Sequence, residues 1–443
     1  AYDSKYLLEI NGAYSGSEKF ARGKRFGFFP SFAVGWVLTK EKFVKKYTEN
    51  FLNFFKVRFS QGEMGSDLGA PRFAYTQIYT SGGNIPLGYG SRTNYGPLYQ
   101  EGKAANANQT WETSLKRNLG FEAKLLDNRL SATLDLYNED RTGILMDYNT
   151  IPVWFGANEP TGNIGEAKNQ GYEIAIDWSD NIGTDFNYTI GGNISQFENR
   201  IVFQDDPRAQ DDYLKSAGKP IRWTNGGPRV INSGYYQSLD DIYNYAAPGL
   251  GVTMNQLVPG DLMFVDYNAD GIVDVQDRVV MENQLYPRMT YGFNIGANYK
   301  NFSFQARFYG VADVGRNIGD RLRFDFLDGE VIAHPDVVNR WTPETAANAT
   351  KPSLHIGSNI LHNNSISSYN YTDGDYLRLK SVEASYTFKE GLEQFGIEKL
   401  QIYSNANNLY TWVKDDWGTD PEAFGGDAYP VVKRYNVGLR LTF

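Results

Sequence analysis

Tyr435-Asn436-Val437-Gly438-Leu439-Arg440-Leu441-Thr442-Phe443 ends the chain, and its reading decides the fold. Every odd-numbered residue is apolar and every even-numbered one is polar or tiny. Successive side chains of a strand point to opposite faces, so this segment is a strand with one wholly apolar face. The pattern recurs upstream. Tyr291, Phe293, Ile295, Ala297 and Tyr299 alternate with Gly and Asn; after Lys300-Asn301, Phe302, Phe304, Ala306 and Phe308 alternate with Ser303, Gln305 and Arg307. Leu119 to Leu125 and Leu130 to Leu136 flank an Asp127-Asn128 turn, and Tyr172 to Trp178 faces Phe186 to Ile190 across Gly183. Tight Asn, Asp or Gly turns between alternating runs are hairpin signals. About twelve strands follow, near 5–14, 30–39, 53–61, 114–126, 129–138, 171–179, 184–196, 288–299, 301–310, 377–388, 399–411 and 433–443. Their connections alternate short and long, the longest being roughly 197–287. A β-sandwich in water gives no such alternation of loop length. A transmembrane barrel does, with short periplasmic turns, long external loops, aromatic girdles and a polar lumen. The expected fold is therefore all-β: a transmembrane antiparallel β-barrel.

Composition agrees once alternation is taken into account. The 443 residues carry 43 Lys+Arg against 52 Asp+Glu, a net charge of −9, which argues against a nucleic-acid partner. Mean hydropathy is −0.49 and no apolar run reaches helix-spanning length; Phe26 to Leu38 is interrupted by Pro30. The absence of Cys removes disulfides, thiolate metal sites and Cys nucleophiles. Three scattered histidines, His334, His355 and His362, leave little for His-based chemistry. No G-x-S-x-G elbow, phosphate loop or H-E-x-x-H is present, so an enzyme is not expected.

Several ordered stretches resemble the C-terminal part of SusC/RagA-type TonB-dependent transporters of Bacteroidetes-type bacteria. Tyr6-Leu7-Leu8-Glu9, Ser17-Glu18-Lys19-Phe20, Phe28-Phe29-Pro30-Ser31 and Gly35-Trp36 come first. Gly162-Asn163-Ile164-Gly165 with Asn169-Gln170-Gly171-Tyr172-Glu173 is next, then Gly260-Asp261 through Asp277-Arg278-Val279. Arg340-Trp341-Thr342-Pro343-Glu344, Asp375-Tyr376-Leu377-Arg378-Leu379-Lys380 and Asn407-Asn408-Leu409 complete the series. The resemblance implies a barrel of about 22 strands and a plug domain. Residues 1–443 offer about twelve strands and no plug-like segment, so the expectation is the C-terminal part of that barrel, from a longer or split polypeptide. It also implies a SusD-like surface lipoprotein, TonB acting through the plug, and surrounding outer-membrane lipid.

Four groups of residues are candidates for function. In Asp266-Tyr-Asn268-Ala-Asp270-Gly271-Ile272-Val-Asp274-Val-Gln-Asp277, oxygen-bearing side chains stand at positions 1, 3, 5, 9 and 12. Gly stands at position 6 and a backbone carbonyl at 7, the spacing of a calcium loop, with magnesium the other hard cation it could hold. Position 12 is Asp rather than Glu, which shortens its reach; an acidic solvated turn is the alternative. Trp223, Tyr235, Tyr236, Tyr243 and Tyr245 in the longest loop either stack on cargo or pack that loop on itself. Asp415, Asp416 and Trp417, with Asp420-Pro421-Glu422, either contact cargo or form a solvated loop around one anchoring Trp. Phe443 resembles the terminal aromatic read by the barrel-assembly machinery. Asn294, Gln305, Arg307 and Arg440 are expected to line the lumen. The function expected is TonB-dependent outer-membrane import of an oligosaccharide or oligopeptide, with no residue here performing chemistry. The alternative is a structural or docking barrel in a surface or secretion complex.

Overall fold

A computed structural model describes the chain except residues 49, 87–93, 222–227, 282–283, 328–330, 356–361, 393, 395, 424–428 and 430. Twelve strands pair in chain order in one sheet. They are β1 Tyr6–Gly16, β2 Phe26–Val37, β3 Leu52–Ser66, β4 Glu112–Leu125, β5 Leu130–Asp147 and β6 Thr161–Ile182. β7 Phe186–Phe203, β8 Met289–Tyr299, β9 Phe302–Ala312, β10 Tyr376–Phe388, β11 Lys399–Val413 and β12 Arg434–Thr442 complete it. All twelve expected strands are present. Several run longer than their alternation marks; β6 begins at Thr161 rather than near 171. Two compact units divide the chain: Ala1–Ile176 with Gln196–Ile221, and Asp177–Ser195 with Arg222–Phe443.

In the first unit, register aligns Leu8, Val34, Phe59, Leu119 and Leu136 in one row across five strands. The opposite face carries Arg58, Gly120 and Asp135 in register. There Arg58 Nη2 donates to both oxygens of Asp135, at 2.7 and 2.8 Å, and its Nε lies 3.1 Å from Glu122. A Cβ on Gly120 would stand 2.6 Å from Arg58 Nε, so glycine is what lets the guanidinium lie across this strand. The β4–β5 turn places Leu126, Asp127 and Asn128 at positive φ, a conformation Asn and Asp tolerate best among side-chain-bearing residues.

The second unit repeats the scheme. Phe293, Phe308, Leu379 and Tyr410 share one row, and Gly296, Gln305, Glu383, Asn405 and Asn436 another. Apolar rows stay open: Leu8, Ile10, Tyr14, Phe28, Val437 and Leu439 are all exposed. A water-soluble sandwich would bury these rows against a second sheet. A single-layer wall with one apolar face is what lipid stabilises. No helix among the described residues is long and apolar enough to cross a membrane; the crossing elements are strands.

Buried hydrophobic clusters lie off the wall. Val230, Leu262, Phe264, Val273, Phe324, Leu327 and Tyr369 form one, and Tyr236, Ile242, Val252 and Leu257 another. Both belong to connections between strands, so the long loops fold on cores of their own.

Candidate functional site

The β7–β8, β9–β10 and β11–β12 connections build this packed loop assembly in the second unit. Short pairings stitch it: Asn232–Tyr235 with Leu262–Phe264, Ala247–Pro248 with Ile272–Val273, and Gly315–Asn317 with Tyr371–Asp373. Backbone bonds join distant segments, with Val230 N–H donating to Ile366 O and Ser368 N–H to Val230 O.

Polar groups buried in the assembly are held by specific partners. Asp261, 1% exposed, has its Oδ1 2.5 Å from His355 Nε2 and accepts Asn363 Nδ2 at 2.9 Å and Ser353 Oγ at 3.2 Å. Preceding it, Gly260 has φ +92°, and a Cβ there would meet the Trp341 ring at 2.5 Å. Glycine is required on both counts. His362 donates from Nε2 to Leu262 O at 2.7 Å, and burial pushes its pKa below the usual imidazole value. Asp325 accepts His334 N–H at 2.7 Å and Lys351 Nζ at 2.9 Å, while Lys351 also lies 2.8 Å from Asp336. Among the described residues, Asp325, His334 and Asp336 are the triad whose ligand atoms lie within 4.8 Å of one another. The Lys351 ammonium already stands beside both carboxylates, so a protein cation serves them.

The 266–277 loop is self-capped. Asp266 accepts from Asp270 and Gly271 N–H, Asn268 Oδ1 from Asp270 N–H, and Asp270 from Ile272 N–H. Asp274 caps the short 3-10 turn Val275–Asp277 through Gln276 N–H. Asp277, at position 12, is fully buried and accepts Tyr267, Asn268 and Asp274 N–H at 2.6, 3.2 and 2.7 Å. As placed, these carboxylates accept from the amides of their own loop, an arrangement that shapes the turn and leaves further lone pairs on each group.

The aromatic and acidic candidates separate. Tyr236 is 2% exposed, and burial pushes its hydroxyl up to about 12. Tyr235 and Tyr245 are half-buried against the cores. These three pack the loop on itself, which corrects the cargo-contact reading for Tyr236, whose sealed ring offers no stacking face; Tyr235 keeps part of its surface open. Tyr243 is exposed; Trp223 lies outside the described residues. Trp417 covers the Arg323 guanidinium at 4.5 Å while Tyr369 covers it at 3.8 Å. Asp415 accepts the Thr372 hydroxyl, and Asp416 accepts Gly418 N–H. Buried Arg378 clamps Asp420 through both oxygens at 2.7 Å and reaches Glu422 at 3.3 Å. This loop is therefore anchored by Trp417 and Asp420 together.

Asn294, Gln305, Arg307 and Arg440 lie on the polar face, where Arg307 donates to Gln305 and Arg440 to Gln401. Phe443 is exposed at the end of the apolar row of β12. The sequence names Tyr243 and leaves its neighbour Leu239 unread. Helix Leu239–Asn244, closed by a Ser238–Asp241 capping box, leaves Leu239 and Tyr243 exposed one turn apart. Tyr267, Ile272 and Val275 are exposed on the neighbouring loop. The i, i+4 spacing of Leu239 and Tyr243 was the available signal.

Comparison with known proteins follows the same lines. TonB-dependent receptor P3 of Formosa agariphila is 28% identical over 471 residues, covering 100% of this chain and 44% of the relative. TonB-dependent receptor SusC of Bacteroides thetaiotaomicron is 25% identical, covering 99% of this chain and 42% of its own length. The chain thus spans somewhat under half the length of the curated relatives it matches. The structure of the RagAB peptide importer in its open-open state superposes with a TM-score of 0.74 at 21% identity, over 100% of this chain and 46% of that one, a likeness of fold. Residues 1–409 match the family model described as TonB dependent receptor-like, beta-barrel, and the chain belongs to that family of outer-membrane proteins.

Proposed function

We propose that this chain is the C-terminal barrel portion of a SusC-like transporter that imports an oligosaccharide or oligopeptide. A SusD-like surface lipoprotein would cover its long loops, and TonB would act through a plug supplied elsewhere in the transporter. The observation that carries the proposal is the folded loop assembly, with cores of its own beside a membrane wall. Loops that only closed a barrel would need no such cores. Leu239 and Tyr243 offer the lipoprotein an apolar contact face. Affinity purification of the transporter from its source bacterium should bring down a surface lipoprotein, and deletion should abolish growth on one complex glycan or peptide source. A complex without a lipoprotein, and unchanged growth on all such sources, would support a docking barrel instead.

Calcium at the 266–277 loop is a separate proposal that rests on oxygen spacing alone. Asp266, Asp270 and Asp274 each keep lone pairs beyond the amides they accept, and those would face the cation. Calorimetric titration of calcium into the full transporter should give heat that Asp270→Asn removes; no heat refutes it.

A further inference from the structure

The β2–β3 connection differs in character from the rest of an acidic chain. Lys40, Lys42, Lys45 and Lys46 fall within seven residues, three of them on the helix Lys42–Thr48. All four are exposed, and none has a carboxylate partner among the described residues. Phe43 and Tyr47, one turn apart on the same helix, are 62% and 75% exposed, and Phe51 is exposed beyond it. Exposed aromatics beside unpaired lysines are an unstable surface in water and a stable one at a lipid–water boundary.

The geometry fixes which boundary. Phe51 O accepts from Leu126 N–H at 2.8 Å, so this segment sits at the strand ends closed by the tight β4–β5 turn. In an outer-membrane barrel that is the periplasmic end. Directly preceding the helix, Glu41 accepts the Tyr6 hydroxyl at 2.5 Å and Trp36 Nε1 at 3.3 Å. Tyr2, Tyr6 and Trp36 stack in series with centroids 6.5 Å apart, an interfacial aromatic belt. Continuing from Tyr6 and Trp36 on the apolar face, Leu8, Val34 and Phe59 line a groove across β1, β2 and β3. Glu41 therefore ties the rim of an apolar groove to the start of a lysine-rich helix, and its own charge is spent on Tyr6, Trp36 and Lys5.

We propose that this groove and helix form a binding site for an anionic phospholipid of the periplasmic leaflet. An acyl chain occupies the groove, and the phosphate lies among Lys40, Lys42, Lys45 and Lys46. The site rests on the membrane assignment and is independent of the cargo. Each lysine near an anionic surface contributes about fivefold to lipid preference, from ~1 kcal/mol per basic residue.

The full transporter, reconstituted in vesicles of phosphatidylethanolamine with a minor share of phosphatidylglycerol, tests it by native mass spectrometry of retained lipid. Phosphatidylglycerol should be retained in excess of its share. Lys40→Gln/Lys42→Gln/Lys45→Gln/Lys46→Gln should lower that excess at least fivefold, while Lys215→Gln, in a long loop, should leave it unchanged. Heat-modifiable gel mobility checks that the variant is folded. If it is not, wild-type protein in 1 M salt should show the same loss, because screening then acts within about 3 Å. Equal retention in variant and wild type, or salt-independent retention, overturns the proposal. So does a variant that keeps the lipid and loses a periplasmic protein partner.

Discussion

Replacing Lys351 by Met should unfasten the loop assembly while leaving the wall intact. Lys351 is 4% exposed and Asp325 5%. The ammonium lies 2.9 Å from Asp325 and 2.8 Å from Asp336. Without it, Asp325 keeps a buried charge with only His334 as donor. Removing one member of a buried pair costs about 3–5 kcal/mol. Asp336 is half-exposed and water takes over its share, so about 3 kcal/mol is expected, close to a hundredfold in the opening equilibrium. Hydrogen exchange should therefore quicken by about two orders of magnitude at Val230, Phe264 and Phe324, with Phe121 and Leu134 in the wall unchanged. Asp325→Asn with Lys351→Met removes both charges and should recover most of the loss. Acidity supplies a second check. Burial alone would raise the Asp325 pKa, but His334 and Lys351 outweigh it and hold the carboxyl below the usual aspartate value. The pair's contribution is then full above the ordinary aspartate pKa and lost as pH falls through the depressed one, where wild type and Lys351→Met should converge. A single-variant effect under fivefold, or a double variant no better than the single, refutes the reasoning.

Asp277→Ala strips the acceptor from three loop amides and should cost about 2–3 kcal/mol, at ~1 kcal/mol per bond. Protease cutting within 266–277 should rise equally with and without calcium. Trp417→Ala removes one of two rings covering Arg323 and should loosen residues 414–423 by about 1–2 kcal/mol, read as faster amide exchange there, with Arg378–Asp420 still holding the loop. His362 has its folded pKa depressed by burial, so its contribution is full above the unfolded value and lost as pH falls below it. Melting of the loop assembly should fall as pH drops below about 6.5, the ordinary imidazole value, and less so in His362→Gln, which keeps the donor to Leu262. Phe443→Ala should reduce membrane insertion more than the stability of inserted protein; equal losses would mean simple lipid burial.

The wall was legible because lipid enforces period two: wherever one face meets hydrocarbon and the other water, the sequence must alternate. The same reasoning explains where the reading stopped. At Thr161–Gln170 the strand continues, but Thr-Gly-Asn-Ile-Gly-Glu-Ala-Lys-Asn-Gln shows no alternation. Here β6 packs through small residues, Gly162 against Tyr148, Gly165 against Met146 and Ala167 buried, so closeness of packing and not an apolar row is what selects the residues. Strand existence was therefore readable and strand length was not. Turns were readable for a different reason, since Asp127-Asn128 and Gly183 supply the positive φ their turns need.

The loop assembly was opaque because its chemistry is tertiary. Three of the stretches that carry the family resemblance, those around Gly260, Trp341 and Arg378, prove to be its fastenings. Gly260 makes room for Trp341, Asp261 gathers Ser353, His355 and Asn363, and Arg378 holds Asp420. Each joins residues about 40 to 100 positions apart, beyond the reach of any local pattern. The acidic loop shows the limit most clearly. Spacing by 1, 3, 5, 9 and 12 suits a metal, and the same spacing lets the carboxylates cap the amides of a tight turn, a second use that the spacing alone does not announce. Motif residues here hold the loops in shape. On the proposed transport reading, the surfaces left to meet cargo and partners are exposed ones outside those fastenings, Leu239 and Tyr243 among them. Such positions are free to differ between transporters that share one set of fastenings, so cargo choice should follow exchange of exposed loop segments rather than substitution of the motif residues.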